Sequence, residues 1–273
     1  MRTFFIAVTC LLFVAASASA TTVVFQDDFE SYTGWTANNG NGWFNAINEP
    51  NYTPNGWLPF YSYGAERDPG MVVASGGPHN GSPSGYGDTQ GFTQWDGGTP
   101  HGQSHLINAD GSAVPAGGSV TFSAKINSSG NKYSYLHLGS SGMTSAGVGE
   151  DQAGAIINPT GKLAATAGGA EPSVAVDWST GWKEVSITAL IGSNGDVEEV
   201  VASYRDIGDA SWTSVNVGSG PAVGPATHFG FNIGMGATID DISVSVVPEP
   251  ATLSMLVMSL LGLALTGLRR KNG

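Results

Sequence analysis

Apolar and polar residues alternate along many short segments of this chain, and turn residues separate the segments. The alternation is clearest in residues 183–191, where Val185, Ile187 and Ala189 share one parity and polar residues lie between them. Successive side chains of a β-strand point to opposite faces, so the pattern predicts a half-buried strand. Turn signals such as Asn158-Pro159-Thr160-Gly161 follow the segments at regular intervals. This spacing predicts an all-β antiparallel sandwich.

The opening strand is predicted at residues 23–30. Residues 32–115 are rich in Gly, Asn, Pro and aromatic residues, which predicts long loops with brief strands. Alternation is less regular in residues 197–204, which indicates a bulge or an edge. The later strands are predicted at 120–126, 132–138, 155–157, 162–166, 182–191, 197–205, 212–217, 229–233 and 238–246.

The first twenty residues have the features of a signal peptide. Arg2 is followed by an apolar stretch over residues 4–16 and by the small residues Ala18-Ser19-Ala20. This order predicts export and cleavage before Thr21. The single cysteine, Cys10, lies in the apolar stretch, so the mature chain is expected to lack disulfides, thiol nucleophiles and thiolate metal sites.

A second uncharged apolar run, residues 251–268, lies near the C-terminus. As a helix its 18 residues measure about 27 Å, close to the hydrocarbon thickness of about 30 Å. We therefore predict a single transmembrane helix. The basic residues Arg269, Arg270 and Lys271 that follow it predict a cytoplasmic C-terminus and an exported body.

The tail at residues 247–273 combines a Val247-Pro248-Glu249-Pro250 box, one apolar span and the basic cluster Arg269-Arg270-Lys271. In this order the three features resemble the PEP-CTERM sorting signal of Gram-negative-type bacteria. The resemblance implies export by the Sec machinery, an inner-membrane intermediate, and recognition and removal of the tail by an exosortase. The body would then reach the cell surface or the extracellular matrix of an exopolysaccharide-producing cell. A plain tail anchor and a lipid-anchor signal are the alternatives.

Residues 21–246 are predicted to form one domain, because 226 residues lie within the range of a single all-β domain. This segment holds 21 acidic and 6 basic residues, a net charge of about −15. Nucleic acids and anionic lipids need a cationic surface, so the charge argues against both as partners.

The strands at residues 25–30, 182–185 and 239–244 resemble those of concanavalin A-like jelly rolls and related carbohydrate-binding sandwiches. The resemblance implies a jelly-roll-like sandwich whose first and last strands lie side by side and share a structural calcium ion. Asp28, Glu30 and Asp241 are the candidate ligands.

Paired aspartates lie in the first and last predicted strands, Asp27-Asp28 and Asp240-Asp241. One member of each pair is expected to point inward. A buried carboxylate must be hydrogen-bonded or bind a metal. Oxygen ligands suit calcium, so a structural calcium is one interpretation. The other is that these acids bond to backbone groups or end the strands.

Aromatic residues lie among Asn, Gly and Pro in the long loop region, and Trp43, Trp57 and Tyr61 are the candidate ligand-binding residues. A flat ring beside polar side chains suits a sugar. The alternative is that these rings form the local core of the loops.

The sequence contains no recognisable catalytic motif: no nucleophile elbow, no phosphate loop and no Glu-x-Asp-x-x-Glu strand. Asp196 and Glu198 could share a face, but solvated edge charge is the simpler interpretation. His101 and His105 are four residues apart, yet Pro100 and Gly102 argue against a zinc-binding helix, and a loop is expected. We therefore expect a non-catalytic binding or structural module. The alternatives are a secreted glycan hydrolase or lyase and a passive matrix component.

Overall fold

The computed structural model describes residues 21–28, 58–60, 71–74, 90–93, 101–128, 133–140, 152–167, 171–217, 223–234 and 237–248. Within these ranges the chain forms strands and one short 3₁₀ turn at Trp178–Thr180. The strands are β1 (Thr22–Asp27), β2 (Leu58–Phe60), β3 (Met71–Ala74), β4 (Gln90–Thr93), β5 (His101–Leu106), β6 (Ser119–Asn127), β7 (Ser134–Gly139), β8 (Gln152–Asn158), β9 (Lys162–Ala167), β10 (Ser173–Ala175), β11 (Lys183–Ile191), β12 (Val197–Asp206), β13 (Thr213–Asn216), β14 (His228–Ile233) and β15 (Thr238–Val247).

The strands form two antiparallel sheets. The first sheet has the order β13-β12-β11-β6-β15-β4-β3, and β1 also pairs with β15. The second sheet has the order β10-β9-β8-β7-β14-β5-β2. The chain passes repeatedly from one sheet to the other, as in a jelly roll, so both sheets are assembled from segments that are distant in sequence.

The core lies between the two sheets. Along β6 buried residues alternate strictly with partly exposed ones, as the sequence pattern predicts for a strand with one face in the core. Phe122 of the first sheet meets Phe229 of the second, with ring centroids 5.3 Å apart in an edge-to-face arrangement. This contact identifies the inner face of each sheet.

The first and last strands of the described body bring the start and the end of the chain segment close together. Thr22 at the start of β1 pairs with Val246, and Val247 at the end of β15 pairs with Ser119. Gly118 lies close to the end of β15, because a Cβ placed on Gly118 would be 2.8 Å from the carbonyl oxygen of Val247. The described body therefore begins and ends at the same end of one sheet.

Several predictions from the sequence are confirmed. The fold is an all-β antiparallel two-sheet sandwich, and its first and last strands are neighbours. The irregular segment near residue 198 is a β-bulge, since Leu190 pairs with Glu199 and Ile191 with Val197, which leaves Glu198 as the extra residue.

Two local predictions were wrong or incomplete. The segment with His101 and His105 is strand β5 rather than a loop, because Pro100 precedes the strand and Gly102 is tolerated within it. Strand β10 and the 3₁₀ turn were missed, since three-residue elements show no readable period. The predicted signal peptide at residues 1–20 and the apolar run at 251–268 lie outside the described residues.

Among the residues that the structure describes, no helix is long and apolar enough to cross a membrane.

Candidate functional site

Strand β14 carries apolar side chains on the face toward the core and small or polar residues on the opposite face. Phe229 packs against Phe122 in the core, so Phe231 and Ile233, which have the same parity, also face inward. Gly230 and Asn232 therefore point to the opposite side of the second sheet. Unlike the exposed outer face of an ordinary sheet, this side is buried at Asn232.

The register of the neighbouring strands brings two more side chains to this side. Gly230 lies opposite His137 of β7, and Asn232 lies opposite Tyr135. Directly paired residues in an antiparallel sheet share a face. We call this side the polar face. It comprises Gly102, Ser104 and Leu106 of β5, His228, Gly230 and Asn232 of β14, Tyr135, His137 and Gly139 of β7, Gly154 and Ile156 of β8, and Lys162, Ala164 and Thr166 of β9.

His137 is fully buried in the polar face, with 0% of its surface exposed. Neither ring nitrogen makes a hydrogen bond within the described structure. Burial and, to a lesser extent, the nearby His228 lower the pKa of His137 to about 3, and the backbone of Gly230 partly opposes this shift. The imidazole is therefore neutral above this value, with one nitrogen that can donate and one that can accept.

Asn232 is also fully buried, and neither its Oδ1 nor its Nδ2 has a hydrogen-bond partner among the described residues. A buried polar group without a partner costs about 1–3 kcal/mol. Native proteins retain few such groups, and those they retain call for an explanation. Two neighbouring strands therefore each carry one such side chain on the same side of the sheet.

Glycine residues surround these two side chains. His137 lies between Gly230 on β14 and Gly154 on β8, while Gly102 lies opposite Asn232 on β5. Glycine weakens a strand interior and often marks a site where a ligand or another backbone approaches closely. Both side chains are thus flanked by residues that carry no side chain of their own.

An aromatic pair borders the polar face. The rings of Tyr133 and Tyr135 are nearly parallel, at 20° and 6.3 Å between centroids. The Nδ2 of Asn158 donates to the Tyr133 hydroxyl at 3.1 Å, and the carbonyl of Asn158 accepts from the Trp178 indole at 2.9 Å. Burial raises the pKa of Tyr135, so its hydroxyl stays protonated. The pair is thereby held in place while Tyr133 remains exposed.

The aspartate pairs behave only partly as predicted. Asp27 and Asp240 are the buried members, whereas Asp28 is exposed and Asp241 forms an ion pair with Lys125. Asp240 Oδ1 accepts from the Asp241 backbone N–H at 2.7 Å. This bond supports the interpretation that the acids bond to backbone groups.

A register shift between Asp240 and Ser243 explains the outcome, because Asp241 adopts a positive φ of 47° there. Among the described residues, no group of three or more His, Cys, Asp or Glu side chains could hold a metal ion. Glu30, the third predicted calcium ligand, lies outside them, so the calcium site stays a prediction.

The predicted carboxylate pair lies in a hairpin turn. Asp196 forms an isolated bridge with Pro225, and its Oδ2 accepts from Asn194 Nδ2 at 2.8 Å. Glu198 is the exposed residue at the bulge and lies against Gly192. Neither belongs to the polar face.

The other predicted site residues are not described by the structure. Trp43, Trp57 and Tyr61 lie outside the described residues, as do Glu249, Pro250, Arg269, Arg270 and Lys271. Val247 and Pro248 are described, at the end of β15 and immediately after it. The residues that sequence reasoning missed are His137, Asn232 and Tyr135. The parity of β7 and β14 was the signal for them, because both strands alternate core residues with His, Tyr or Asn.

The fold and the site define an all-β two-sheet sandwich with a buried polar face on one sheet. No family model matches the chain, and no curated protein matches it either.

Solved structures with some likeness include arcelin-5, a lectin-like defense protein from Phaseolus vulgaris, at 9% identity and a TM-score of 0.40, covering 70% of this chain and 96% of that one. A carbohydrate esterase from the Shiga toxin-encoding bacteriophage phi24B has 14% identity and a TM-score of 0.44, with coverages of 83% and 99%. Lectin II from Ulex europaeus has 11% identity and a TM-score of 0.39, with coverages of 71% and 98%. At this similarity they assign neither a family nor a ligand to the chain.

Proposed function

We propose that this chain is an exported cell-surface or extracellular protein whose sandwich binds carbohydrate at the polar face without turning it over. The observation that carries the proposal is the pair of buried side chains, His137 and Asn232, whose polar atoms have no partner in the described structure. A ligand that supplies hydrogen bonds would remove the free-energy cost of leaving these atoms unpaired.

A sugar matches the chemistry of this face. Sugar rings combine apolar C–H faces with several hydroxyl groups, and sites for such ligands combine aromatic walls with a few directed polar groups. Tyr133 and Tyr135 supply the aromatic wall, while Asn232 and His137 supply neutral donors and acceptors. The residues directly opposite His137 on both neighbouring strands are glycines. Exopolysaccharide is the expected ligand class for an exported protein of this kind.

Sorting through the C-terminal tail is part of the same proposal. The Sec machinery would export the chain through its signal peptide, and the tail would hold the body at the inner membrane by its apolar helix and be recognised by an exosortase. Two features support this arrangement. The predicted cleavage point before Thr21 precedes β1, and Pro248 of the sorting box comes directly after β15, so cleavage before Thr21 or after Val247 would remove no paired strand.

Mass spectrometry of the protein recovered from the host's envelope and medium tests the sorting. We expect a species that begins at Thr21 and ends near residues 247–250. An intact C-terminus at Gly273, found only in the inner membrane, would contradict processing and leave a tail-anchored sandwich.

Glycan binding is tested on the same recovered protein. We expect it to retain the host's exopolysaccharide in a sedimentation assay and to release no shorter saccharides during prolonged incubation. Release of products would favour a hydrolase or lyase instead. Failure to bind the polysaccharide or any glycan of a broad array would refute the proposed function.

A further inference from the structure

We propose that the polar face selects uncharged sugars through neighbouring hydroxyl groups and excludes uronic acids and sulfated sugars. This inference rests on the proposed function, because it specifies which carbohydrate that face accepts. It follows from the kind of polar atoms that are buried there and from the charges that are absent around them in the described structure.

The hydrogen-bonding capacity of Asn232 fits a pair of adjacent hydroxyl groups. Its Oδ1 accepts and its Nδ2 donates, and both atoms are without partners among the described residues. One sugar hydroxyl can donate to Oδ1 while the neighbouring hydroxyl accepts from Nδ2. A carboxylate or sulfate cannot satisfy this amide, because each offers only acceptors and leaves Oδ1 unpaired.

His137 adds a second neutral hydrogen-bonding group. It lies opposite Gly230, two residues before Asn232, so the two side chains are diagonal neighbours on adjacent strands. Diagonal neighbours are separated by about 7–8 Å, which is within reach of long side chains. The imidazole and the carboxamide can therefore contact different hydroxyl groups of one oligosaccharide.

No formal charge accompanies these groups. The cross-strand neighbours of His137 and Asn232 are Gly230, Gly154, Tyr135 and Gly102. The nearest cation in the described part of this sheet is Lys162, which lies on the same side at the exposed start of β9, two strands away from β7.

An anionic sugar would therefore lose its water without gaining a cation. Burying an unpaired carboxylate carries a large desolvation cost. The net charge of about −15 on residues 21–246 adds a long-range repulsion of anions. Both effects act in the same direction and favour neutral sugars.

The test measures binding of defined preparations of the host's exopolysaccharide to the exported protein purified from its host. The preparations are the neutral fraction, the acidic fraction, the acidic fraction after reduction of its carboxyl groups to alcohols, and the neutral fraction after periodate cleavage of adjacent hydroxyls. We expect the neutral fraction to bind and the acidic fraction to bind about tenfold or more weakly. Carboxyl reduction should restore binding, and periodate should abolish it.

Two variants assign the selectivity to the polar face. Asn232→Asp keeps the shape but removes the donor and adds a charge, so we expect it to lose about tenfold or more of the affinity for the neutral fraction. Asn232→Leu removes both polar atoms without adding a charge, so it should lose the same affinity and tests the proposal even if the buried Asp of the first variant hinders folding. Asn216→Asp, on the exposed strand β13 of the other sheet, is the matched control and should bind like the unaltered protein.

The outcomes separate the two proposals. Equal or tighter binding of the acidic fraction, or binding that survives periodate, would overturn the selectivity and leave carbohydrate binding intact. Absence of binding to every preparation and to a broad panel of neutral glycans would overturn the proposed function itself.

Discussion

Asn232→Leu is expected to stabilise the ligand-free protein while it removes carbohydrate binding. The carboxamide is fully buried on β14, and both of its polar atoms are without partners in the described structure. Each such atom costs about 1–3 kcal/mol. Leucine is similar in size and carries no polar atom, but imperfect packing of its branched end can cost about 1–3 kcal/mol.

The balance of these terms predicts that the free energy of unfolding rises by about 1–3 kcal/mol. For a domain of this size the midpoint of thermal unfolding moves by roughly 2–4 °C per kcal/mol. Chemical denaturation of the exported protein, followed by tryptophan fluorescence, gives the free energy, and calorimetry gives the midpoint. Asn216→Leu is the control: Asn216 is exposed and donates to Glu199, so we expect a change within about 0.5 kcal/mol.

A loss of more than about 1 kcal/mol in Asn232→Leu would refute this reasoning. It would mean that the carboxamide makes favourable hydrogen bonds in the ligand-free protein. Retention of full glycan affinity by the same variant would show, separately, that Asn232 does not contact the ligand. Stabilisation together with loss of binding is the result that the account requires, because it identifies a residue kept for function at a cost in stability.

Three further predictions concern the core, the end of strand β15 and the buried histidine. Phe122→Ala should lower the free energy of unfolding by about 3–5 kcal/mol, measured by denaturant titration, because it empties the contact with Phe229; a change below about 1 kcal/mol would contradict the packing described here. Gly118→Ala should lower the free energy of unfolding by about 1–3 kcal/mol in the same assay, since its Cβ would lie 2.8 Å from the carbonyl oxygen of Val247. An unchanged midpoint would contradict this prediction and show that the backbone at the end of β15 shifts without cost. The pKa of His137 is about 3 in the folded protein and about 6.5 when unfolded, so the unfolded chain binds the extra proton between these values. Stability should therefore fall by up to about 1.4 kcal/mol per pH unit as the pH drops below about 6.5. His137→Gln should remove that part of the slope, and an identical slope in both proteins would contradict the buried neutral ring.

The strands of the body were readable from the sequence because one face of each lies in the core. Strands β6 and β11 keep apolar residues at every second position, and β15 does so from Ile242 to Val246; the predicted bounds of all three differ from the observed ones by about one residue. The failures have physical reasons. In β5 the residues Pro100 and Gly102 suggested a loop, but pairing with β14 holds the strand in place.

The candidate site could be predicted only in part. The alternation in β7 and β14 indicates that His137 and Asn232 face away from the core, but their adjacency depends on pairing between strands that are distant in sequence. Local patterns do not specify such pairing. For the aspartate pairs, alternation correctly predicted one buried member in each pair. The backbone hydrogen bond of Asp240, however, depends on a bulge that the local sequence pattern did not predict.

The measurement that tests the central claim most directly is an NMR titration of the exported protein, isotope-labelled in its host, with the neutral exopolysaccharide fraction cut to oligosaccharides. The account predicts that the side-chain amide signals of Asn232 and the ring signals of His137 shift with saturation. The ring of His105, which is half-buried and contacts Phe25 and Phe229, should stay unchanged as the internal reference. Saturable binding that leaves Asn232 and His137 unmoved and shifts residues of the first sheet would contradict the polar face as the binding site.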